Sequence, residues 1–320
     1  MRPLPASRGG RTFLFSVSEP DRSILRRAVF VVGPTSSGKS AFALDLAQKH
    51  GGEIVCADAF QLYREFPVLS AQPAAGERAL VPHHLFGAVS CADDMDAARY
   101  AALALGAIAD ILARGRIPIV VGGSGLYIQA LTAGLPELPP IDAGLRERVR
   151  GMTLKEMAAK LGELDPASLD AIDTRNPRRV ARRLELCLQA GRPASEILHE
   201  PPSPQGLRGV VLTRDRDDLD ARIASAVDAR LSGGAIDEVR ATRRMAGGTA
   251  RQILGWREIS GYLDAKILLD ECRDDLTAAT RRYAKRQLTW FRAKCNFPAA
   301  NLSSVTTDFL DRTARELGLP

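Results

Sequence analysis

The apolar positions of the chain fall into short continuous runs separated by stretches with helical spacing. The first run, Ala28-Val29-Phe30-Val31-Val32, is followed by the helical pattern Ala41-Phe42-Ala43-Leu44-Asp45-Leu46-Ala47. The second, Glu53-Ile54-Val55-Cys56-Ala57-Asp58, ends in a carboxylate. Residues 67–90 are rich in Pro and Gly and read as loops and short edges. An Ala/Leu-rich helix is predicted over 97–113, closed by Gly115. A third run, Ile117-Pro118-Ile119-Val120-Val121, leads into Gly122-Gly123-Ser124-Gly125. Residues 207–213 predict a strand that returns to the core. A helix over 217–230 carries Arg222 and ends at Gly233-Gly234, and a last helix covers 278–294. Runs without alternation fit strands covered on both faces, and strand–helix alternation predicts an α/β fold with a parallel sheet.

Between the third and fourth strands the composition changes. Pro136, Pro139 and Pro140 on one side and Pro201-Pro202-Ser203-Pro204 on the other bracket a charged, mostly helical segment. The organisation read from this is a core of residues 28–140 and 205–300, a small helical insertion at 141–204, and a C-terminal tail at 301–320. Residues 1–27 read as a disordered basic N-terminal tail outside the fold, with a mitochondrial presequence as the other reading.

The chemistry begins where the first strand meets the first helix. Gly33-Pro34-Thr35-Ser36-Ser37-Gly38-Lys39-Ser40 has the complete G-x-x-x-x-G-K-[ST] spacing of a phosphate-binding loop. Its glycines let backbone N–H groups turn toward an anion, and the helix N-terminus adds partial positive charge. Lys39 can reach a terminal phosphate and Ser40 can ligate Mg²⁺. The loop does not say which phosphate compound it holds. In doubly wound folds ligands lie beyond the carboxyl ends of the strands, which places Asp58 near the loop as a catalyst or a helix cap. The turn at Ser124 is a second strand–glycine–helix junction, readable as part of the same crevice or as a tight turn alone. His83-His84 has no Cys or third His nearby and reads as structural or substrate-shaping rather than metal-binding.

Composition narrows the classes. The chain has 320 residues, 45% hydrophobic and 26% charged, with a formal net charge of +6. That suits a globular protein with a polyanionic partner. Five scattered cysteines form no C-x-x-C pair, so neither a zinc site nor a disulfide framework is indicated, and the reading is cytoplasmic. No apolar run approaches the roughly 20 residues of a membrane helix. Two segments concentrate arginine. In Asn176-Pro177-Arg178-Arg179-Val180-Ala181-Arg182-Arg183, Arg178 with Arg182 and Arg179 with Arg183 are i,i+4 neighbours on a basic face without paired acids. In 278–294, Arg281, Arg282, Lys285, Arg286, Arg292 and Lys294 interleave with Tyr283, Trp290 and Phe291. Cations with aromatics suit a nucleic-acid backbone and unstacked bases, the other reading being an amphipathic helix with its aromatics in the core.

Taken in order, these residues resemble the bacterial tRNA dimethylallyltransferases (tRNA isopentenyltransferases). The resemblance spans about residues 28–298. It rests on Gly33 to Ser40, Ala-Asp-x-x-Gln-Leu-Tyr at 57, Pro-His-His-Leu at 82 and Val-Gly-Gly-Ser-Gly-Leu-Tyr at 121. It continues with Asn-Pro-Arg-Arg-Val at 176, Gln-Ile-Leu-Gly-Trp-Arg-Glu at 252 and Arg-Tyr-Ala-Lys-Arg-Gln-Leu-Thr-Trp-Phe-Arg at 282. It implies a P-loop NTPase-like doubly wound sheet, with a loop that holds the pyrophosphate of dimethylallyl diphosphate. It further implies transfer of the five-carbon group to N6 of adenosine 37 in the anticodon stem-loop of tRNAs reading codons that start with U, by a monomer that uses Mg²⁺ on Ser40. By the same match Asp58 accepts the N6 proton, Ser124 lies near the bridging oxygen of the diphosphate, and Lys39 and Arg222 stabilise the leaving group. The tRNA contacts it implies are Asp58, Ala59, Phe60, Gln61, Ser124, Arg146, Arg178, Arg179, Arg182, Gln252, Gly255, Arg257, Arg282, Lys285 and Arg286. This sequence departs from the family pattern at Ala59, often serine, at Gln72, usually lysine, and at Ala226, often arginine. The competing classes are prenylation of a free adenine nucleotide, ATP-dependent phosphotransfer to a small molecule, and non-catalytic RNA binding.

Overall fold

The protein is described by a computed structural model over residues 22–136, 138, 141–198, 205–304 and 308–319. In chain order its first elements are β1 (Val29–Val32), α1 (Lys39–His50), β2 (Gly52–Cys56), α2 (Ala75–Leu80), β3 (His83–His84), α3 (Ala97–Ala113), β4 (Ile117–Gly122) and α4 (Gly125–Thr132). Then come α5 (Ala143–Arg150), α6 (Leu154–Leu164), α7 (Pro166–Asp170), α8 (Pro177–Ala190) and α9 (Ala194–Ile197). The chain continues with β5 (Arg208–Thr213), α10 (Arg216–Ser232), α11 (Ala235–Thr242), α12 (Trp256–Leu263), α13 (Leu269–Lys294), β6 (Ala299–Asn301) and α14 (Phe309–Glu316).

The strands form one six-stranded parallel sheet in the order β3-β2-β4-β1-β5-β6. The continuous apolar runs are the cause. β1 and β2 are buried along their whole length, and β4 along all but its first residue, as strands covered on both faces must be. The chain moves from β1 to β2 on one side and later to β5 on the other, so the order reverses about β1. Such a switch point opens a crevice at the carboxyl ends of the central strands.

One side of the sheet packs Val29, Val31, Ile119, Val121, Val210 and Leu212 against Phe42, Ala43 and Leu46 of α1. Phe309, Ala314 and Leu317 belong to the same core, and the Phe42 and Phe309 rings lie 5.5 Å apart. The C-terminal segment is therefore not the tail expected at 301–320, since β6 pairs with β5 through Asn301 and α14 closes the core. At the other end the fold begins earlier than expected. A 3-10 turn at Arg22–Arg27 buries Leu25 completely, so only the 1–21 part of the predicted tail lies outside the described residues.

The chain divides into two compact units. The first holds the sheet and residues 22–95, 102–124 and 207–319. The second takes in 96–101 and 125–206, a wider span than the insertion expected at 141–204. Its helices enclose a core of Leu145, Val149, Met157, Leu161, Val180 and Leu184. Asn176 caps α8 by accepting from the Arg178 and Arg179 amides, with Pro177 at the first helical position. The buried Asp165 accepts from the Ser168 amide (3.0 Å), the Ser195 amide (2.8 Å) and Ser195 Oγ (2.7 Å), tying α7 to α9. No described helix is long and apolar enough to cross a membrane.

Candidate active site

Sheet register decides which loops meet. Val32 is paired with Gly122, and Cys56 with Val121, so β1, β2 and β4 end side by side. The loops that follow them are residues 33–40, 57–61 and 123–124. The three are also bonded to one another. The Gly33 amide donates to Gly122 O (3.3 Å), the Ser124 amide to Ala57 O (3.2 Å), and the Ala59 amide to Ser124 Oγ (2.9 Å). The spacing is too close for side chains at the turn: a Cβ on Gly123 would lie 2.3 Å from Gln287 Nε2 and 2.9 Å from Gly33 O.

The loop at 33–40 has the shape its sequence demands. Gly38, at φ +96°, supplies the left-handed cap of α1. Ser36, at φ +62°, is one of few non-glycine residues in that region, a cost that functional loops commonly carry. Two arginines hold the loop, one from the β5–α10 turn and one from α10. Arg214 Nε donates to Ser37 O (2.9 Å) and is itself fixed by Asp218 (2.7 Å), while Arg222 Nε donates to Ser36 O (3.3 Å). Lys39 Nζ donates to Pro34 O (3.2 Å). A cleft of about 610 Å³ opens here, lined by Ser36, Lys39 and Ser40 on one side and Arg222, Ser225 and Ala226 on the other. A concavity of about 760 Å³ between β6 and α14 is larger, but it contains none of the predicted site residues and no loop suited to an anion.

The electrostatics centre on Lys39 and Asp58. Burial lowers the Lys39 ammonium from its ordinary range, the Asp58 carboxylate opposes this, and Arg230 reinforces it. Asp58 Oδ1 accepts from the Phe60 amide (3.0 Å), so it caps the turn while facing Lys39. Burial pushes the Cys56 thiol far up, with the Asp58 charge adding to it, which makes Cys56 an inert neighbour rather than a nucleophile. Burial and then Asp58 also raise the Tyr283 phenol, which stays protonated and bonds to the side chains of Ser124 and Gln287. The Tyr283 ring lies 5.8 Å from Phe60, with the Arg286 guanidinium 5.6 Å from its centroid.

Four residues of this site were not foreseen: Gln287, Arg214, Arg230 and Tyr283, the last read only as one of the aromatics of 278–294. Gln287 Oε1 accepts from the Thr35 amide (2.9 Å) and its Nε2 donates to Gly123 O (2.9 Å), so one side chain joins the two glycine turns. Its signal was available. On α13 the buried stripe runs Cys272, Leu276, Thr280, Ala284, Gln287, Phe291, and an amide on such a stripe needs partners. Arg230 carries no such signal, because it reads as one more charge at a helix end.

The other expected contacts are distributed as follows. Arg282, Lys285 and Arg286 are exposed on α13, whereas Arg281 is matched with Asp220 (3.5 Å). The aromatics of this helix are not an open stacking platform: Phe291 is buried and Trp290 packs edge-on against it. Gln252 is exposed, with Nε2 on Gly248 O (3.0 Å). Gly255 is buried at φ +98°, and Arg257 is exposed beside Glu258 (3.0 Å). Gln61 is turned away to Ser70 O (3.2 Å) and Ala71 O (2.6 Å). In the second unit Arg146, Arg178, Arg179 and Arg182 are all exposed. The expectation of a basic face without acids is corrected at Arg182, which has Glu185 at 3.7 Å. Gln72 donates to Tyr63 O (2.7 Å) and accepts from Arg78 (2.8 Å), so a cation reaches this loop through the glutamine. His84 bonds Glu53 (2.7 Å), itself held by Arg114 (2.6 Å), and His83 Nδ1 lies 2.9 Å from Val81 O. Among the described residues no three His, Cys, Asp or Glu side chains gather to hold a metal.

A family model described as IPP transferase matches residues 61–294, and one described as isopentenyl transferase matches residues 26–80. The chain belongs to the IPP transferase family. Among curated relatives, tRNA dimethylallyltransferase of Parvibaculum lavamentivorans is 42% identical over 287 residues, 87% of this chain and 90% of that one. The enzyme of the same name from Rhodopseudomonas palustris is 40% identical over 83% of this chain and 86% of its own. Of solved structures, the tRNA isopentenylpyrophosphate transferase of Bacillus halodurans has a TM-score of 0.64 at 31% identity, covering 91% of this chain and 97% of that one. A eukaryotic dimethylallyltransferase acting on tRNA has a TM-score of 0.74 at 25% identity, covering 90% and 77%. The solved relatives thus share the α/β fold found here.

Proposed function

We propose that the chain transfers the dimethylallyl group of dimethylallyl diphosphate to N6 of adenosine 37 in tRNA. The observation that carries this reading is the junction of a phosphate-type loop with a facing carboxylate. Lys39 and the loop amides suit the diphosphate, and Asp58 suits the amine that attacks it. Ser37 Oγ is buried without a hydrogen-bond partner inside the loop, a feature a bound anion would resolve. The amine nitrogen forms a bond to C1 of the allyl group, the C1–O bond breaks, and diphosphate departs with the electron pair. Lys39 and Arg222 offset its growing charge, and Asp58 takes the N6 proton. The protonated Tyr283 and Gln287 hold Ser124 and the glycine turns in place for this. The base must leave its stack to reach the cleft. Mg²⁺ fits the donor set as an ion bound mainly through substrate oxygens and water, with Ser40 supplying the protein ligand. It would neutralise charge on the diphosphate.

The test is incubation of the protein with Mg²⁺, labelled dimethylallyl diphosphate and unmodified tRNA carrying A36-A37-A38, with AMP and ATP in parallel. Label at N6 of A37 is expected. Label on AMP, or ATP consumed with tRNA unlabelled, overturns the reading.

A further inference from the structure

Arg230 is a half-buried cation, with its Nε closed off from solvent, that the chemistry above does not use. It follows Ile223 by seven residues and Ala226 by four, so it continues the stripe of Leu219, Ile223 and Val227 that α10 turns inward. Its Nε is buried and has no hydrogen-bond partner, and it forms no ion pair among the described residues. A guanidinium has five donors in a fixed fork and cannot shed its charge to escape burial. Leaving one unpaired inside a protein is costly, so such groups are matched by an anion. The anion on the protein side is incomplete. Asp58 is near enough for its charge to act on Arg230, yet it is also the carboxylate facing Lys39, and its Oδ1 is taken by the Phe60 amide. Arg230 and Lys39 act on each other as like charges, so two cations share one carboxylate. The surplus positive charge sits beside the cleft that Ala226 and Ala229, its neighbours on α10, help to line.

We propose that Arg230 is a third cation of the diphosphate site, held with its Nε buried and unpartnered so that its fork can take oxygens of the departing pyrophosphate together with Lys39 and Arg222. This rests on the diphosphate reading of the loop. It also explains how the site works without a cation at Ala226: the charge stands one helical turn further on, where α10 faces inward.

The test uses inorganic pyrophosphate with Mg²⁺ as the probe, in titration calorimetry with the full chain. Arg230→Met should weaken pyrophosphate binding at least about tenfold, as loss of a charge-assisted contact does, and raise KM for dimethylallyl diphosphate. tRNA affinity should stay within about twofold, the range of a site not in contact. Arg230→Lys should recover part of the loss. Without ligand, Arg230→Met should melt at the same temperature or higher, because it removes a half-buried charge that has no ion-pair partner among the described residues. Unchanged pyrophosphate affinity in Arg230→Met overturns the proposal. So does a loss confined to tRNA binding, or a lower melting temperature with pyrophosphate binding intact. If the wild-type chain itself fails to bind pyrophosphate, the reading of the loop falls. If the wild type binds it and Arg230→Met binds it equally, only the role of Arg230 falls.

Discussion

At Asp58 one side chain does two jobs that a substitution can separate. Its Oδ1 caps the turn by accepting from the Phe60 amide, and its charge faces Lys39. Asp58→Asn keeps an acceptor for the cap and loses the proton acceptor. Single-turnover transfer should fall by about 10²–10⁴, the usual contribution of a general base, with tRNA affinity retained; equal turnover would remove Asp58 from that role. Lys39 gives a pH signature. Burial and Arg230 lower it, while Asp58 raises it. Only the charged ammonium attracts an anion, so pyrophosphate affinity should fall as pH rises through this depressed value, starting below the ordinary lysine range. Arg230→Met removes one cause of the depression and should move the fall to higher pH. Asp58→Asn removes the opposing charge and should move it lower. The ligand's own titration is common to all three proteins, so the displacement of the calorimetric profiles reads Lys39. Gln287→Leu removes the bridge between Thr35 and Gly123. With one buried and one partly buried backbone group orphaned, the buried one at about 1–3 kcal/mol, it should lower both thermal stability and diphosphate affinity, measured together by melting with and without pyrophosphate.

At the scale of elements the second unit offers a clean case. Burial alone would raise Asp165, yet the bonds from Ser168 and Ser195 hold it down to about 2. A depressed carboxylate contributes stability that is present above its unfolded value near 4 and lost as pH falls through its folded value. Hydrogen-exchange protection in α6–α9 should therefore be flat above about pH 4 and decline toward pH 2. Asp165→Ala should lower it at neutral pH by about 2–4 kcal/mol, from several orphaned donors. The Asp165-Pro166 step marks a helix start in the sequence, whereas the bonds from Ser195 depend on how α9 packs. What was legible followed from local pattern. β1, β2, β4 and β5 are short apolar runs bounded by glycine or charge, and the loop at 33–40 and the carboxylate at 58 stand at their ends. What was not legible depends on which way a helix is turned in space. α14 is only eight residues long and half polar, yet Phe309 seats it in the core. Gln287 and Arg230 are site residues only because α13 and α10 turn those faces toward the glycine loops. The aromatics of α13 misled for the same reason, since helical spacing alone does not separate a stacking face from a packed one.

For the whole molecule the question is how a chain with a net charge of +6 grips a polyanion. The basic residues are not uniformly free. Arg114, Arg182, Arg214, Arg243 and Arg281 each have an acid partner, which reduces what they can offer to phosphates. On α13 the exposed cations without a salt bridge among the described residues include Arg282, Lys285 and Arg286, which lie within one helical turn of each other and next to Tyr283 at the site. In the second unit Arg146 and Arg179 are exposed in the same way. Each phosphate neutralised releases counterions and steepens the fall of affinity with salt by about 0.7–0.9 in a log–log plot. Arg282→Ala combined with Arg286→Ala should therefore weaken tRNA binding and reduce that slope by about 1.4–1.8. Arg281→Ala, whose cation is already matched by Asp220, should change the slope much less. The measurement is filter or anisotropy binding of unmodified tRNA across a salt series, with pyrophosphate affinity followed in parallel. A double variant that binds tRNA less tightly at every salt concentration with an unaltered slope would assign Arg282 and Arg286 to packing. A reduced slope with pyrophosphate binding unchanged would separate the surface that holds the RNA from the cleft that holds the leaving group.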